Sequence, residues 1–441
     1  MESVNEKKYF GYTLKQLWSC VICYCVFIAF GGFDASKSVY YPLIQEYYQL
    51  KYDYQGMLVF ASCTGYTIFS LFVGYISVKL GIKSTLTIGL LVVLSTCILI
   101  CIFPNIWLLL TCLVCNGIGQ VFLDVGTNTW ATIIFNAHKA VMMNLLHCFY
   151  GLGASIGPIL TAYVSRHLHF DYRGVFIGIL ILITFALIMV LFSPSQKKDD
   201  KQQKEENDQK VPLAPSEQQQ DKQSSISICS AFKYPVVWLL GIVEGCIAGT
   251  ENITMNWAPI YLRDLYGWDV ETKGAHFISI FFLCYTLSRV VSGFIIDAVG
   301  EVNSVLIYTV LLIIVYILGF CIYAQGPYIL MFTGVFIAPL FPTTLTVAME
   351  YFGEDCGKIT CVLFFIYMVF SQTMQYVVGV VSRYIGVQWG YRVAVLLMVI
   401  VFINIYIVKI LLKKKQQKQQ EALLPPEVNV NSNYVVCFYI P

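Results

Sequence analysis

The sequence predicts an all-α membrane protein with twelve transmembrane helices in two six-helix halves. Of its 441 residues, 58% are hydrophobic and only 12% are charged. The mean hydropathy of +0.69 lies outside the range of soluble globular proteins. Apolar windows of roughly 20 residues, the length that crosses a bilayer as a helix, recur along nearly the whole chain. They are too long for membrane β-strands.

Twelve apolar segments are the predicted spans, and each should be an α-helix because lipid offers no partner for free backbone N–H and C=O groups. They lie at 17–41, 54–76, 85–103, 106–135, 140–164, 174–193, 235–262, 273–296, 303–324, 327–351, 356–383 and 390–412.

The order of these segments predicts four regions. Residues 1–193 form a front six-helix bundle, and residues 235–412 form a rear one. Between them, 194–234 is rich in Gln, Lys, Glu and Asp and cannot bury enough apolar surface to fold, so we predict a disordered linker. Residues 413–441 form a polar tail.

Basic residues in short loops favour the cytoplasmic side of a membrane. Lys79, Lys83 and Lys139 therefore predict that both termini and the linker are cytoplasmic, although Arg166 and Arg263 on the other side weaken the contrast. The sequence does not distinguish the plasma membrane from an endomembrane. The net charge of +2 is spread over the loops, so no nucleic-acid partner is expected.

Two loops at equivalent positions of the two halves carry a related motif. "GYISVKLGIKSTL" follows the second predicted span, and "SGFIIDAVGEVNS" follows the eighth. Both resemble the signature G-x-x-x-D-(R/K)-x-G-(R/K)-(R/K) of the major facilitator superfamily, although each copy keeps only part of it. The resemblance implies two six-helix repeats with a substrate site between them.

In that superfamily, the glycines of this loop allow close packing and its charges latch the helix ends on the cytoplasmic side. We therefore expect a cytoplasmic gating latch here, with Arg289 anchoring it. The residues that the resemblance and this interpretation assign to the latch are Gly74, Lys79, Gly81, Lys83, Arg289, Gly293, Asp297 and Gly300.

Further blocks narrow the family. "DVGTNTW" at 124–130 and "LHCFYGLGASIGPIL" at 146–160 resemble the pattern D-x-x-x-N followed by L-H-x-x-F-G-x-G-x-x-x-x-P. That pattern belongs to the fucose–proton symporters and their sodium-dependent-glucose-transporter-like relatives. "DASKSVYYPLIQEYY", "GTENITMNWAPIYL" and "APLFPTTLTVAMEYFG" look like other blocks of the same family. The resemblance implies a carrier of a hexose-like sugar.

Polar side chains at membrane depth are expensive and should face a cavity or one another. This reasoning makes seven residues candidates for substrate binding. Carboxylates and amides would bind sugar hydroxyls, and an aromatic face would stack on the sugar's C–H surface. The candidates are Asp34, Asp124, Asn128, His147, Glu251, Asn252 and Trp257.

Structural alternatives remain open for several of these residues. Asp34 could pair with Lys37 three residues later, and Asp124 could form a structural hydrogen bond between helices. His147 could relay protons or simply join two helices. Trp257 could be a packing residue.

Coupling to H⁺ or Na⁺ would need a carboxylate whose occupancy depends on which side the cavity faces. Asp34, Asp124 and Glu251 are the candidates. The first-helix acid of the bacterial symporters lies four residues before a proline, where this chain has Ser38, so facilitated diffusion stays an alternative.

Glycines on the fifth span serve a different purpose. Gly153 and Gly157 lie four residues apart and form a small-residue face that lets two helices approach closely. Pro158 can bend the helix beside them. We expect this helix to pack tightly against a neighbour.

The leading hypothesis is therefore a secondary transporter of a sugar, working by alternating access in a lipid bilayer. The alternatives are a carrier of a nucleoside, organic anion or drug, a uniporter, and a membrane sensor that transports nothing. No constellation of nucleophile, base and acid suggests an enzyme. The cysteines lack the spacing of a zinc site, so neither a metal nor a cofactor is expected.

Overall fold

The structure, a computed structural model, describes residues 12–135, 139–193, 232–352 and 356–423. Within these ranges it contains twelve helices long and apolar enough to cross a membrane, and no β-strand. The predicted all-α fold with twelve spans is therefore confirmed. Nearly all of the predicted linker, and the tail from residue 424 onwards, lie outside the described residues.

Six spans come from the front half of the chain. Span 1 continues past its predicted end at 41, through Pro42, because a membrane helix tolerates a proline where neighbouring helices support the backbone. The helices are span 1 (Leu14–Ala35 and Lys37–Tyr47), span 2 (Tyr52–Leu80), span 3 (Ile82–Ile102), span 4 (Ile106–Ile134), span 5 (Lys139–Leu168) and span 6 (Tyr172–Leu191).

Six more spans come from the rear half. Span 12 runs beyond its predicted end at 412 because the following Lys, Gln and Ala residues are good helix formers. The helices are span 7 (Pro235–Tyr266), span 8 (Ala275–Val299, after a π-helical turn Val270–Gly274), span 9 (Glu301–Cys321), span 10 (Gly326–Met331, Thr333–Ile337 and Leu340–Phe352), span 11 (Cys356–Tyr384) and span 12 (Val387–Leu423).

The helix packing repeats between the halves. In the front half, span 1 packs on span 5, span 2 on span 4, and span 3 on spans 4 and 6. Adding six to each number gives the packing of the rear half: 7 on 11, 8 on 10, and 9 on 10 and 12. The halves meet where span 2 packs on span 11 and span 5 on span 8. This two-fold pattern leaves a central space between the halves.

Spans 1 and 5 cross in backbone contact. A Cβ atom added to Gly153 would lie 2.1 Å from the carbonyl oxygen of Ile28, and one added to Gly157 would lie 2.3 Å from that of Gly32. The small-residue face of span 5 therefore packs directly on span 1, which allows the two helices to approach more closely than side chains would permit.

The bundle has two ends, which we name by their loops. The linker face carries Ser193 and Phe232, the described residues next to the linker. The distal face carries the turns at 48–51, 169–171 and 267–269. Odd-numbered spans run from the linker face to the distal face, and even-numbered spans return.

Candidate substrate cavity

A cavity of about 360 Å³ lies between the two halves. Spans 1, 2, 4 and 5 line it from the front, and spans 7, 8, 10 and 11 line it from the rear. These are the spans that the two-fold pattern brings to the centre, while spans 3, 6, 9 and 12 lie outside the lining. The cavity is within the usual size range for small-molecule sites.

The front wall contains a chain of hydrogen bonds around Asp34. One carboxylate oxygen pairs with the ammonium of Lys37, and the other accepts the Tyr150 hydroxyl at 2.7 Å. Lys37 also donates to the amide oxygen of Gln120 at 3.1 Å. Spans 1, 4 and 5 are thus joined through one carboxylate, and its charge is compensated inside the protein.

A second carboxylate, Asp124, lies further along the same wall. It accepts a hydrogen bond from the Tyr66 hydroxyl and another from the Asn128 side chain at 2.8 Å. Asn128 lies one turn after Asp124 and outside the cavity lining, so it holds the carboxylate rather than facing the space itself.

The rear wall contains the third carboxylate. Glu251 accepts the Tyr285 hydroxyl at 3.0 Å, and that hydroxyl accepts the Arg289 guanidinium at 2.6 Å. The guanidinium also lies 4.6 Å from the centre of the Tyr285 ring and donates to the carbonyl of Ala338 at 3.3 Å. Tyr285 therefore bridges the acid and the base without direct contact between them.

Amide side chains complete the lining. Gln372 on span 11 donates to the Thr67 hydroxyl on span 2, which ties the halves together beside the cavity. Asn252 on span 7 donates to the hydroxyl of Ser371 on span 11 at 3.4 Å. Both residues also line the cavity.

The structure brings five of the seven predicted substrate residues to this cavity, namely Asp34, Asp124, His147, Glu251 and Asn252. Asn128 supports Asp124 from behind. Trp257 requires a correction: its side chain is fully buried in the core of the rear half, and it does not line the cavity. Trp257 lies six residues after Glu251. At about 100° per residue, this separation places the two side chains roughly 120° apart around the helix axis.

The residues assigned to the latch are spread over two places. Arg289, interpreted as a latch anchor, lines the cavity instead. Lys83 donates to the carbonyls of Leu191 and Ser193 at 3.0 and 3.1 Å, within the front half. Lys79 and Asp297 are exposed and bond no other described residue.

Two latch glycines have a clear local role. Gly81 and Gly300 end spans 2 and 8 with φ angles of +82° and +85°. Only glycine adopts this region without strain. The equivalent geometry at both sites follows the repeat of the loop motif.

Several cavity residues have no distinctive pattern in the sequence. Tyr66, Tyr150 and Tyr285 hold the three carboxylates, but the chain has 30 tyrosines. Gln120 and Gln372 are uncharged and therefore stand out little among membrane residues. They are identified only by their distance in space from the acids on neighbouring helices, and that distance is known only from the folded structure.

The distal face is closed. The Arg383 side chain on span 11 pairs with Asp53 on span 2, and Arg263 on span 7 donates to Gln45 at the end of span 1 at 2.8 Å. Between them, the backbones of Gly56 and Gly379 are in contact, since a Cβ on Gly379 would lie 3.1 Å from the Cα of Gly56.

Among the described residues, the linker face lacks the contacts that close the distal face. Gly74 lies 18 residues, or about five helical turns, beyond Gly56 and so on the same side of span 2. A Cβ atom added to Gly74 would nevertheless meet no atom of the described residues within 4 Å, and the same holds for Gly293. Gly293 lies two turns beyond Thr286, which contacts Gly151 of span 5. Spans 2 and 8 thus leave their partners before reaching the linker face.

This geometry predicts the effect of filling the two glycine positions. Gly74→Leu and Gly293→Leu should fold with a Tm close to that of the wild type, because no described residue covers either position. In a carrier of the kind that the loop motif resembles, both should reduce transport at least about tenfold, since closure of the linker face would bring leucine against another helix. Tm and initial transport rates check this. The lipid-side change Phe72→Leu is the control, and normal rates in both glycine variants would contradict the expectation.

The chain also matches known proteins. The family model described as Major Facilitator Superfamily matches residues 22–372. "Bypass of stop codon protein 6" of Saccharomyces cerevisiae is 21% identical over 430 residues, covering 84% of this chain and 78% of that protein.

Two solved structures share the fold. The nucleoside transporter NupG superposes with a TM-score of 0.69 at 12% identity, covering 90% of this chain and 99% of that one. FucP, a fucose–proton symporter of E. coli, gives 0.57 at 16% identity in its outward conformation, covering 89% of this chain and 99% of that one.

Proposed function

Because the chain belongs to the major facilitator superfamily, we propose that it is a secondary transporter that carries a hexose-like sugar across a membrane by alternating access. Transport would be coupled to an H⁺ or Na⁺ gradient. The single observation that carries the choice of cargo is the chemistry of the central cavity.

Each charged side chain that lines the cavity already has a partner within the protein. Asp34 pairs with Lys37, Asp124 is held by Tyr66, and Glu251 reaches Arg289 through Tyr285. A cavity for organic anions would need a cation left free for the substrate. Acids and amides that are hydrogen-bonded within the wall instead favour a neutral solute whose hydroxyls both donate and accept hydrogen bonds.

Aromatic side chains supply the apolar part of the proposed site. Phe27 and Phe30 of span 1 line the cavity from the front half, and Phe341 of span 10 and Tyr367 of span 11 line it from the rear half. Flat rings opposite polar groups suit a sugar, which has an apolar C–H surface and a hydroxyl edge. The same rings would suit a nucleobase, so a nucleoside is the second candidate.

The arrangement of the two faces supports alternating access. The distal face is held by contacts between spans 2 and 11, and no described residue covers Gly74 or Gly293 at the linker face. With the linker face assigned to the cytoplasm, this arrangement of the described residues supports an inward-open state. The superfamily's repeat then supplies the opposite state by rocking one half against the other.

Uptake into proteoliposomes tests the proposal. The wild type should accumulate a labelled hexose when a proton or sodium gradient is imposed. Glu251→Gln and Asp34→Asn should lower initial uptake by roughly tenfold or more, because each removes a charged acceptor from a buried hydrogen-bond chain. Glu350→Gln makes the same chemical change on an exposed residue and should behave like the wild type.

Each outcome of this assay has a separate meaning. Failure of every hexose to accumulate, with the protein folded, would reject the sugar. Displacement of a labelled nucleoside by unlabelled nucleosides alone would favour the second candidate. Sugar flux that ignores both gradients would reject symport and leave a uniporter.

A further inference from the structure

A buried ammonium occupies the front wall of the cavity. Lys37 is only 8% exposed, and its Nζ contacts two oxygens from different helices: the Asp34 carboxylate on span 1 and the Gln120 amide at 3.1 Å on span 4. The helix of span 1 breaks at Ser36, between Asp34 and Lys37. This break lies where the acid and the ammonium meet.

The oxygens around the ammonium are held by the protein. Tyr150 fixes the second oxygen of Asp34 at 2.7 Å, and Gln120 is 4% exposed. A carboxylate oxygen and a neutral amide oxygen are ligands that a hard cation prefers, and the formal charge of −1 on this pair is balanced by one monovalent cation.

We propose that the Lys37 ammonium is a built-in cation that fills the position where a sodium-coupled carrier would bind Na⁺. Of the two coupling gradients proposed above, the sodium gradient is therefore the one that this chain does not use. Removing the ammonium while leaving space creates a sodium site formed by Asp34 and Gln120. For transport, this inference rests on the proposed carrier function, but sodium binding can be measured without any substrate.

Thermal unfolding of the purified full-length protein tests the cation site. The Tm of the wild type should be the same in NaCl and in choline chloride at equal ionic strength. Lys37→Ala leaves the partly buried Asp34 carboxylate without its counter-ion, so the Tm of this variant should fall in choline chloride. It should rise by several degrees with NaCl, saturably, because only the folded state offers the site.

Two variants serve as matched controls. Lys37→Met also removes the charge but fills the space, so its Tm should not respond to sodium. Lys37→Ala combined with Asp34→Asn keeps the space and removes the carboxylate, so it should not respond either. Equal sodium stabilisation of all three variants would show a nonspecific salt effect and overturn the proposal.

Transport provides an independent arm. Wild-type uptake should be unchanged when NaCl replaces choline chloride, and uptake by Lys37→Ala should be stimulated by sodium. Saturable sodium stimulation of the wild type overturns the proposal even if Lys37→Ala does not fold. Folded Lys37→Ala whose Tm ignores sodium overturns it as well. If no solute is transported at all, the carrier function fails, but the Tm results still decide the cation site.

Discussion

Replacing Gly153 by leucine is expected to abolish the folded protein. A Cβ at this position would lie 2.1 Å from the carbonyl oxygen and 2.8 Å from the Cα of Ile28, and leucine adds three further carbons. The obstacle is backbone of span 1, which cannot move aside as a side chain can. Overpacking typically costs about 1–3 kcal/mol, and backbone contact should exceed that range. Size-exclusion chromatography should show no monodisperse peak.

The neighbouring residue provides the control. Leu152 is 41% exposed and points away from span 1, so Leu152→Ala should give a normal peak with a Tm close to that of the wild type. Gly153→Ala, which adds only the Cβ, should fold less well than the wild type and better than Gly153→Leu. A monodisperse Gly153→Leu protein with wild-type Tm would mean that spans 1 and 5 do not cross in backbone contact.

The spans could be predicted from the sequence because bilayer thickness fixes the length of an apolar helix. Their ends were predicted less well. Span 1 continues to Tyr47 and span 12 to Leu423, since helix formation does not stop where the apolar composition does. For Gly153, the sequence predicted a small-residue face that packs against some other helix. It did not show that this helix is span 1.

The candidate site was predicted in part. Asp34, Asp124 and Glu251 stand out because charges are rare at membrane depth, and all three line the cavity. Trp257 was misplaced because its distance along the chain from Glu251 is small while its direction around the helix differs. Packing against neighbouring helices decides which face of a helix points towards the cavity, and this face could not be read from the single sequence.

The most informative misassignment is Arg289. Its position eight residues before Asp297, beside the loop motif, favoured a role in the latch. The structure places its guanidinium at the Tyr285 hydroxyl and the Ala338 carbonyl, in the cavity wall. Arg289 lies near the middle of span 8, ten residues before the end of that helix, so its closeness in sequence to the loop motif did not reveal where its charge lies.

Arg289→Gln is expected to lower substrate affinity by roughly 30-fold or more while leaving the protein folded. Loss of the guanidinium leaves Glu251 without its nearest compensating positive charge and leaves the Tyr285 hydroxyl without its donor. Truncating one member of a buried charged hydrogen-bond chain costs about 2–5 kcal/mol. Equilibrium binding of a labelled hexose to the purified protein measures this directly, separately from transport rate.

Asp297→Asn distinguishes a cavity role from a latch role. If Arg289 acts in the cavity, Arg289→Gln should weaken binding, and Asp297→Asn, at the exposed end of span 8, should bind substrate like the wild type. If both residues belonged to a latch, both variants would bind normally and would slow transport alike. Arg289→Lys sharpens the comparison, since it keeps the charge but loses the planar group that contacts Tyr285 and Ala338 together. Its affinity should lie between those of Arg289→Gln and the wild type.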